Sequence, residues 1–162
     1  MSHLDANFFK PFIDGAMKTL QISCQIASTP GKPFFKGSAV QPDFSIAGII
    51  GITSQKFTGT ITLCFPASVF LGAMNNMLGE KYTEITDELQ DGVAELLNII
   101  YGQAKVVLNQ QGHNVEKAIP TIVRGEKLRT SILSSSPVMV LPFKTDLGEF
   151  HIEICSEAAS IK

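Results

Sequence analysis

TDELQDGVAELLNIIYGQAKVVLNQQ, residues 86 to 111, is the stretch that decides the fold class. Its apolar residues recur at helical spacing and fall within about 80° of one another around a helix: Val93, Leu97, Ile100, Ala104 and Val107. Thr86 suits an N-cap, and Gly112 suits the C-terminal stop. The stretch therefore predicts one long helix that buries a single face against another layer of the protein.

The opposite face of this helix carries four residues within about 60° of one another: Asp91, Glu95, Asn98 and Gly102. A solvated surface is one interpretation, because many surface helices carry polar residues opposite a core stripe. Asn and Gly are nevertheless poor helix formers, and Gly in a helix costs about 1 kcal/mol relative to Ala. A carboxylate, an amide and a flat spot on one face favour a second interpretation, in which this face inserts into a partner's site.

The chemistry open to such a face is limited. No His or Cys base, nucleophile or metal-ligand cluster accompanies Glu95 and Asn98 in the sequence. A Glu can form a charge-assisted contact with a Lys or Arg, and an Asn can hold a water molecule by donating and accepting hydrogen bonds. The two side chains could therefore complete a partner's site that already holds the metal and the electrophile.

The rest of the chain predicts further helices and strands. Apolar spacing predicts helices at 5–26 and 67–78, with Pro11 in the first turn or two of the first helix. Strands are predicted at 44–53 and 58–66, joined by a hairpin turn. Gly48, inside the first strand, indicates a bend or close packing against a helix.

After residue 112 the sequence predicts three or so further strands, the last two within 128–145 and 148–156, and a mixed-charge turn RGEKLR at 124–129. The order of elements predicts an α+β arrangement, with helices packed on a mainly antiparallel sheet. The length fits a single domain over residues 1–162.

Composition excludes several classes of protein. A hydrophobic content of 44% with 17% charged residues is typical of a globular chain. The net charge of -2 argues against binding to nucleic acid or an anionic membrane. The N-terminus lacks a signal-peptide pattern and no apolar run is long enough for a transmembrane helix, so a cytoplasmic protein is expected.

Cysteine and histidine spacing predicts no metal site in this chain. Cys24, Cys64 and Cys155 are far apart and are expected to be reduced and to pack as small apolar residues. The histidines are isolated in the sequence, and His151, which alternates with apolar residues in a predicted strand, could be surface or core.

The spacing D-x3-E-x2-N, formed by Asp91, Glu95 and Asn98, resembles the motif of the CheC/CheX/FliY phosphatases of bacterial chemotaxis. KPFIDG resembles the Asn-Pro-Phe-Ile segment of CheX proteins, with Lys10 in place of the Asn. GIIGITSQKFTGTITLCFP, IPTIVRG and VMVLPFKTDLGEFHIEI are similar to their hairpins and strands, in the same order along the chain. The resemblance, over about residues 8 to 155, is therefore specifically to CheX proteins.

This resemblance implies a CheC-like fold and a phosphatase of the phosphorylated CheY-type response regulator. Glu95 would pair with the receiver's active-site Lys, and Asn98 would orient the attacking water. Mg²⁺ would belong to the receiver, and a homodimer joined edge to edge through its sheets is implied. Asp91 would support the helix start or touch the partner's rim. Independently of the resemblance, Gly102 leaves a flat spot one turn from Asn98 where the partner's backbone could approach.

Two other hypotheses remain open from the sequence. The chain could be a binding module of the same fold that docks to a receiver, or to motor-switch and signalling proteins, without hydrolysis. It could also be a structural CheC-like domain of the kind found in flagellar switch proteins. The presence of both Glu95 and Asn98 favours the phosphatase.

Overall fold

The long helix α3 spans Asp87–Gln110 in the computed structural model, which describes residues 6–37, 42–117, 119–130 and 136–158. The Thr86 side chain caps its N-terminus by accepting a hydrogen bond from the Leu89 amide at 3.2 Å. Gly112, with φ of +88°, adopts the left-handed conformation that ends the helical path. The predicted helix and both of its boundary signals are confirmed.

Two further helices agree with the sequence prediction. Helix α1 spans Ala6–Cys24 and packs along α3, while α2 spans Ala67–Leu78. Pro11 lies in the second turn of α1 and is buried, as expected for a Pro close to a helix start. The predicted start of the first helix at residue 5 lies outside the described residues.

The strands form one antiparallel sheet, with eight strands among the described residues. In chain order they are β1 Thr29–Pro30, β2 Phe34–Phe35, β3 Phe44–Thr53, β4 Phe57–Phe65, β5 Glu116–Lys117, β6 Thr121–Leu128, β7 Val138–Thr145 and β8 Gly148–Ala158. The spatial order is β1-β7-β8-β4-β3-β5, with β2 also pairing β7 and β6 also pairing β3. The α+β prediction is confirmed; residues 131–135 of the predicted strand at 128–145 lie outside the described part of the chain.

The helices cover one face of this sheet. Alternate strand residues, such as Ile46 and Ile50 of β3, point into the same core cluster as the apolar residues of α1, α2 and α3. Gly48 permits this close approach: a Cβ atom there would lie 3.2 Å from Leu97 Cδ2 and 3.4 Å from the Val93 carbonyl oxygen. The expectation of close helix packing at Gly48 is therefore confirmed.

The prediction of a turn at 124–129 is wrong, because β6 continues to Leu128. The turn-forming residues are accommodated by an irregularity inside the strand. Arg124 is paired with Ile46 and Leu128 with Phe44, so β6 advances four residues while β3 advances two. Lys127 takes a positive φ of 50° within this bulge. The residues that predicted a turn do interrupt the regular strand, but β6 pairs with β3 again at Leu128.

Among the described residues, none of the helices is both long enough and apolar enough to cross a membrane.

Candidate functional site

Helix α3 places the four predicted site residues on its outward side. Asp91, Glu95 and Gly102 are exposed, and Asn98 is half-buried. The opposite side is buried, as predicted, at Val93, Leu97, Ile100 and Ala104. Rigid helical geometry therefore keeps the carboxylates, the amide and the glycine on one narrow face.

Val107 departs from the predicted core stripe, since its side chain is 39% exposed. The reason is a groove of about 510 Å³ between the N-terminal half of α1 and the C-terminal half of α3. Val106 and Val107 line it from α3, and Pro11 and Gly15 line it from α1. Sequence periodicity identified the correct side of the helix, but it could not show that α1 leaves this part uncovered.

The Asn98 side chain has an unusual environment. Its carbonyl oxygen Oδ1 is buried and has no hydrogen-bond partner among the described residues. Buried polar atoms are nearly always paired, because an unpaired one loses its bond to water without replacement. The fold therefore leaves this acceptor unpaired, and a water molecule can reach it only after the side chain rotates.

Tyr101, three residues beyond Asn98, has a second buried polar atom of this kind. Its hydroxyl group finds no partner within the described residues. Burial raises the pKa of Tyr101, and the nearby carboxylate of Glu116 raises it further. Tyr101 thus stays a neutral phenol in the core under α3, and nothing in the sequence pattern singled it out.

The two carboxylates on this face of α3 are also unpaired within the described part of the chain. Neither Asp91 nor Glu95 makes a hydrogen bond or an ion pair with another residue in the described part of the chain. The acidic residue that α3 does use is Asp87, which pairs with Arg124 of β6 at 2.8 Å. Glu95 is consequently free to contact a cation from outside.

Gly102 leaves an open surface one turn beyond Asn98. A Cβ atom built there would have no neighbour within 4 Å. By contrast, a Cβ on Gly92 of the same helix would lie 2.2 Å from Met74 Sδ. A side chain at Gly92 would therefore have to displace Met74, whereas no internal contact explains Gly102.

This chain is similar to the proteins of one known family. The sequence model of the family described as chemotaxis phosphatase CheX matches residues 46–144, more than half of the chain. The chain belongs to the CheX family. The matched region includes all of α3 and therefore all four candidate site residues.

Individual relatives extend the match to almost the whole chain. The CheY-P phosphatase CheX of Thermotoga maritima is 25% identical over 157 residues, covering 94% of this chain and 99% of that protein. A CheC-like superfamily protein from Shewanella sp. PV-4 has a TM-score of 0.89 and 31% identity, over 95% of this chain and 99% of its own. CheX of Borrelia burgdorferi, from a complex with CheY, BeF3 and Mg²⁺, has a TM-score of 0.76 and 23% identity, over 93% and 97%. The CheC-like fold expected from the sequence is confirmed.

Proposed function

We propose that this chain dephosphorylates the phosphoaspartate of a CheY-type response regulator. One observation carries the proposal: the buried, unpaired Oδ1 of Asn98 lies one turn from the uncommitted carboxylate of Glu95. Membership of the CheX family and a curated relative named CheY-P phosphatase support the choice of substrate. The residue roles below are part of this proposal.

Glu95 binds the receiver's active-site Lys through a charge-assisted hydrogen bond. Its exposed position on α3 lets the carboxylate reach a neighbouring protein, and it breaks no internal ion pair to do so. The contact fixes the depth at which α3 enters the receiver's site. Asp91, one turn earlier, touches the rim, and Gly102 allows the receiver's backbone to approach the helix.

Asn98 positions the attacking water. When the Asn98 side chain rotates outward in the complex, its Oδ1 accepts a hydrogen bond from the water. This bond directs a lone pair of the water oxygen towards phosphorus, in line with the leaving carboxylate. A new P–O bond forms to the water oxygen while the bond between phosphorus and the aspartyl oxygen breaks. The receiver's aspartate is regenerated and inorganic phosphate leaves.

The reaction draws no cofactor from this chain in this proposal. Mg²⁺, held by the receiver, would neutralise charge on the phosphoryl group. Precise placement of the nucleophile is what the helix contributes, and a displacement of about 1 Å can reduce a rate by about 100-fold.

The test is phosphate release from receivers loaded with acetyl phosphate and Mg²⁺. Wild-type protein is expected to accelerate release, and Asn98→Ala is expected to reduce the acceleration by about 100-fold or more. Binding to the receiver, measured separately with beryllofluoride, is expected to survive in Asn98→Ala because the amide contributes little contact area. Glu95→Ala is expected to weaken both binding and release.

Asn109→Ala is the matched control, since Asn109 lies on the same face of α3 but two turns beyond Gly102. It should retain the acceleration. Full activity of Asn98→Ala would refute the assignment of the water to this side chain. If wild-type protein binds loaded receivers without accelerating release, the chain is the non-catalytic binding or scaffold module instead.

A further inference from the structure

The sheet face away from the helices contains a second group of chemically reactive side chains. Cys64 on β4 is paired in register with His151 on β8, and Glu153 follows two residues later on the same face. All three residues are buried. Cys64 also packs with Phe44 and Ala47 of β3 in a small buried cluster.

Two of the three separations between the ligand atoms are close to those around a tetrahedral zinc ion. His151 Nε2 lies 3.2 Å from Glu153 Oε2, and Cys64 Sγ lies 3.8 Å from the same oxygen. All three ligand atoms lie within 4.8 Å of one another. Zinc bond lengths and a tetrahedral angle give separations of about 3.3 Å for N···O and about 3.5 Å for S···O.

Neighbouring residues hold the Glu153 carboxylate in this orientation. Lys36 Nζ donates to Oε1 at 2.8 Å, and Thr130 Oγ1 lies 2.8 Å from Oε1 and 2.9 Å from Oε2. Lys36 also contacts the Thr130 carbonyl oxygen. Hydrogen bonds of this kind orient metal ligands in characterised sites.

We propose that Cys64, His151 and Glu153 bind one Zn²⁺ ion. The thiolate and the carboxylate supply two negative charges and the imidazole is a neutral third ligand; with the Lys36 ammonium paired to Glu153, the group carries a net charge of +1. The Cys64 thiol loses its proton to solvent as the S–Zn bond forms, so binding releases a proton. A Cys, His and Glu set favours Zn²⁺ over Mg²⁺, since sulfur and nitrogen are poor ligands for the harder ion.

This site lies on the sheet face opposite α3 and is independent of the proposed phosphatase chemistry. It departs from the expectation that the chain binds no metal, which rested on spacing along the sequence. Zn²⁺ here ties β4 to β8, and through Glu153 to the segments that carry Lys36 and Thr130. Loss of the ion should therefore lower the thermal stability.

Cobalt is the probe, because a thiolate bound to Co²⁺ gives a charge-transfer absorption in the near ultraviolet. Metal-free protein is refolded with one equivalent of Co²⁺ and titrated with Zn²⁺. The wild type is expected to show the band with one ion per chain, and Zn²⁺ is expected to displace it. Cys64→Ser should abolish the band, and His151→Gln should weaken Zn²⁺ binding by at least about 100-fold, since even outer-shell partners contribute 10- to 100-fold.

Cys24→Ser and Cys155→Ser are matched controls, because both residues are buried free cysteines outside the cluster. They should keep the band. Absence of the band in wild-type protein, or its persistence in Cys64→Ser, would overturn the proposal. If Cys64→Ser does not fold, unchanged Zn²⁺ affinity in His151→Gln overturns it equally well. Phosphate release from receivers tests the other site separately.

Discussion

Asn98 illustrates a conflict between stability and function at a single residue. Asn is a poor helix former, and here its Oδ1 is buried without a partner among the described residues. Both features destabilise the folded chain, and neither is offset by an internal contact of that oxygen. An acceptor kept free for a water molecule in the receiver complex would explain the position.

We predict that Asn98→Ala makes the isolated protein more stable while abolishing its phosphatase activity. Ala improves helix propensity by about 0.6 kcal/mol and removes the unpaired buried acceptor, so the free energy of unfolding should rise by about 1 kcal/mol. Urea denaturation measures the change. A clear loss of stability would mean that the amide has a structural role.

We predict that Asn109→Ala changes the stability in the direction opposite to Asn98→Ala. Asn109 Oδ1 accepts a hydrogen bond from the buried Val115 amide at 2.8 Å. Replacing Asn109 by Ala leaves the backbone N–H of Val115 unpaired, and this cost outweighs the gain in helix propensity. The free energy of unfolding should therefore fall by about 1 kcal/mol, opposite in sign to Asn98→Ala.

Among the secondary-structure elements, a buried ion pair joins the segment after β2 to strand β8 on the sheet face away from the helices. Lys36 follows β2 and reaches Glu153 of β8 at 2.8 Å, with side chains only 17% and 4% exposed. Burial alone would raise the pKa of Glu153, but hydrogen bonds from His151, Lys36 and Thr130 outweigh it and hold the pKa at about 2. The carboxylate is therefore ionised at neutral pH and needs its cation.

We predict that Lys36→Met lowers the free energy of unfolding by about 3 kcal/mol at pH 7 in the presence of a chelator. The substitution leaves a buried carboxylate without its counter-charge, which is strongly destabilising. Lys10→Met is the matched control: its pair with Asp14 spans 3.0 Å, but the side chains are 71% and 59% exposed. Exposed pairs contribute little, so the control should change by less than about 0.5 kcal/mol. Equal losses in the two variants would contradict the argument.

At the scale of the whole molecule, the two edges of the sheet differ. One edge is formed by the short strands β1 and β2, of two residues each, beside β7. At the other, the eight-residue β6 pairs with β3 and with no second strand among the described residues. A long open edge is prone to pair with another chain, so β6 is where the implied homodimer is expected to form.

We predict that Val123→Lys, a charge introduced on β6, converts a dimer into a monomer. Val123 is 38% exposed, and a lysine there would place a charge on the strand edge that is expected to pair with the second copy. Thr29→Lys, at the opposite edge, should leave the dimer intact. Light scattering after gel filtration gives the mass; a monomeric wild type, or a dimeric Val123→Lys, would contradict the prediction.

Much of the fold was predictable because its signals are local. The apolar period of α3, the cap at Thr86 and the strand at 44–53 each depend on residues that are neighbours in the sequence. The errors arose where distant segments decide the outcome. The bulge in β6 exists because pairing with β3 resumes at Leu128, and Val107 is exposed because it lines a groove between α1 and α3.

The long helix, the face that joins Glu95 to Asn98 and the family resemblance can all be read from the sequence, since helical geometry fixes which nearby residues share a face. Tertiary packing is what leaves Asn98 Oδ1 buried without a partner among the described residues and brings Cys64 to His151 and Glu153. Strand pairing brings together residues that are far apart in the chain, and no spacing rule along the sequence encodes that contact.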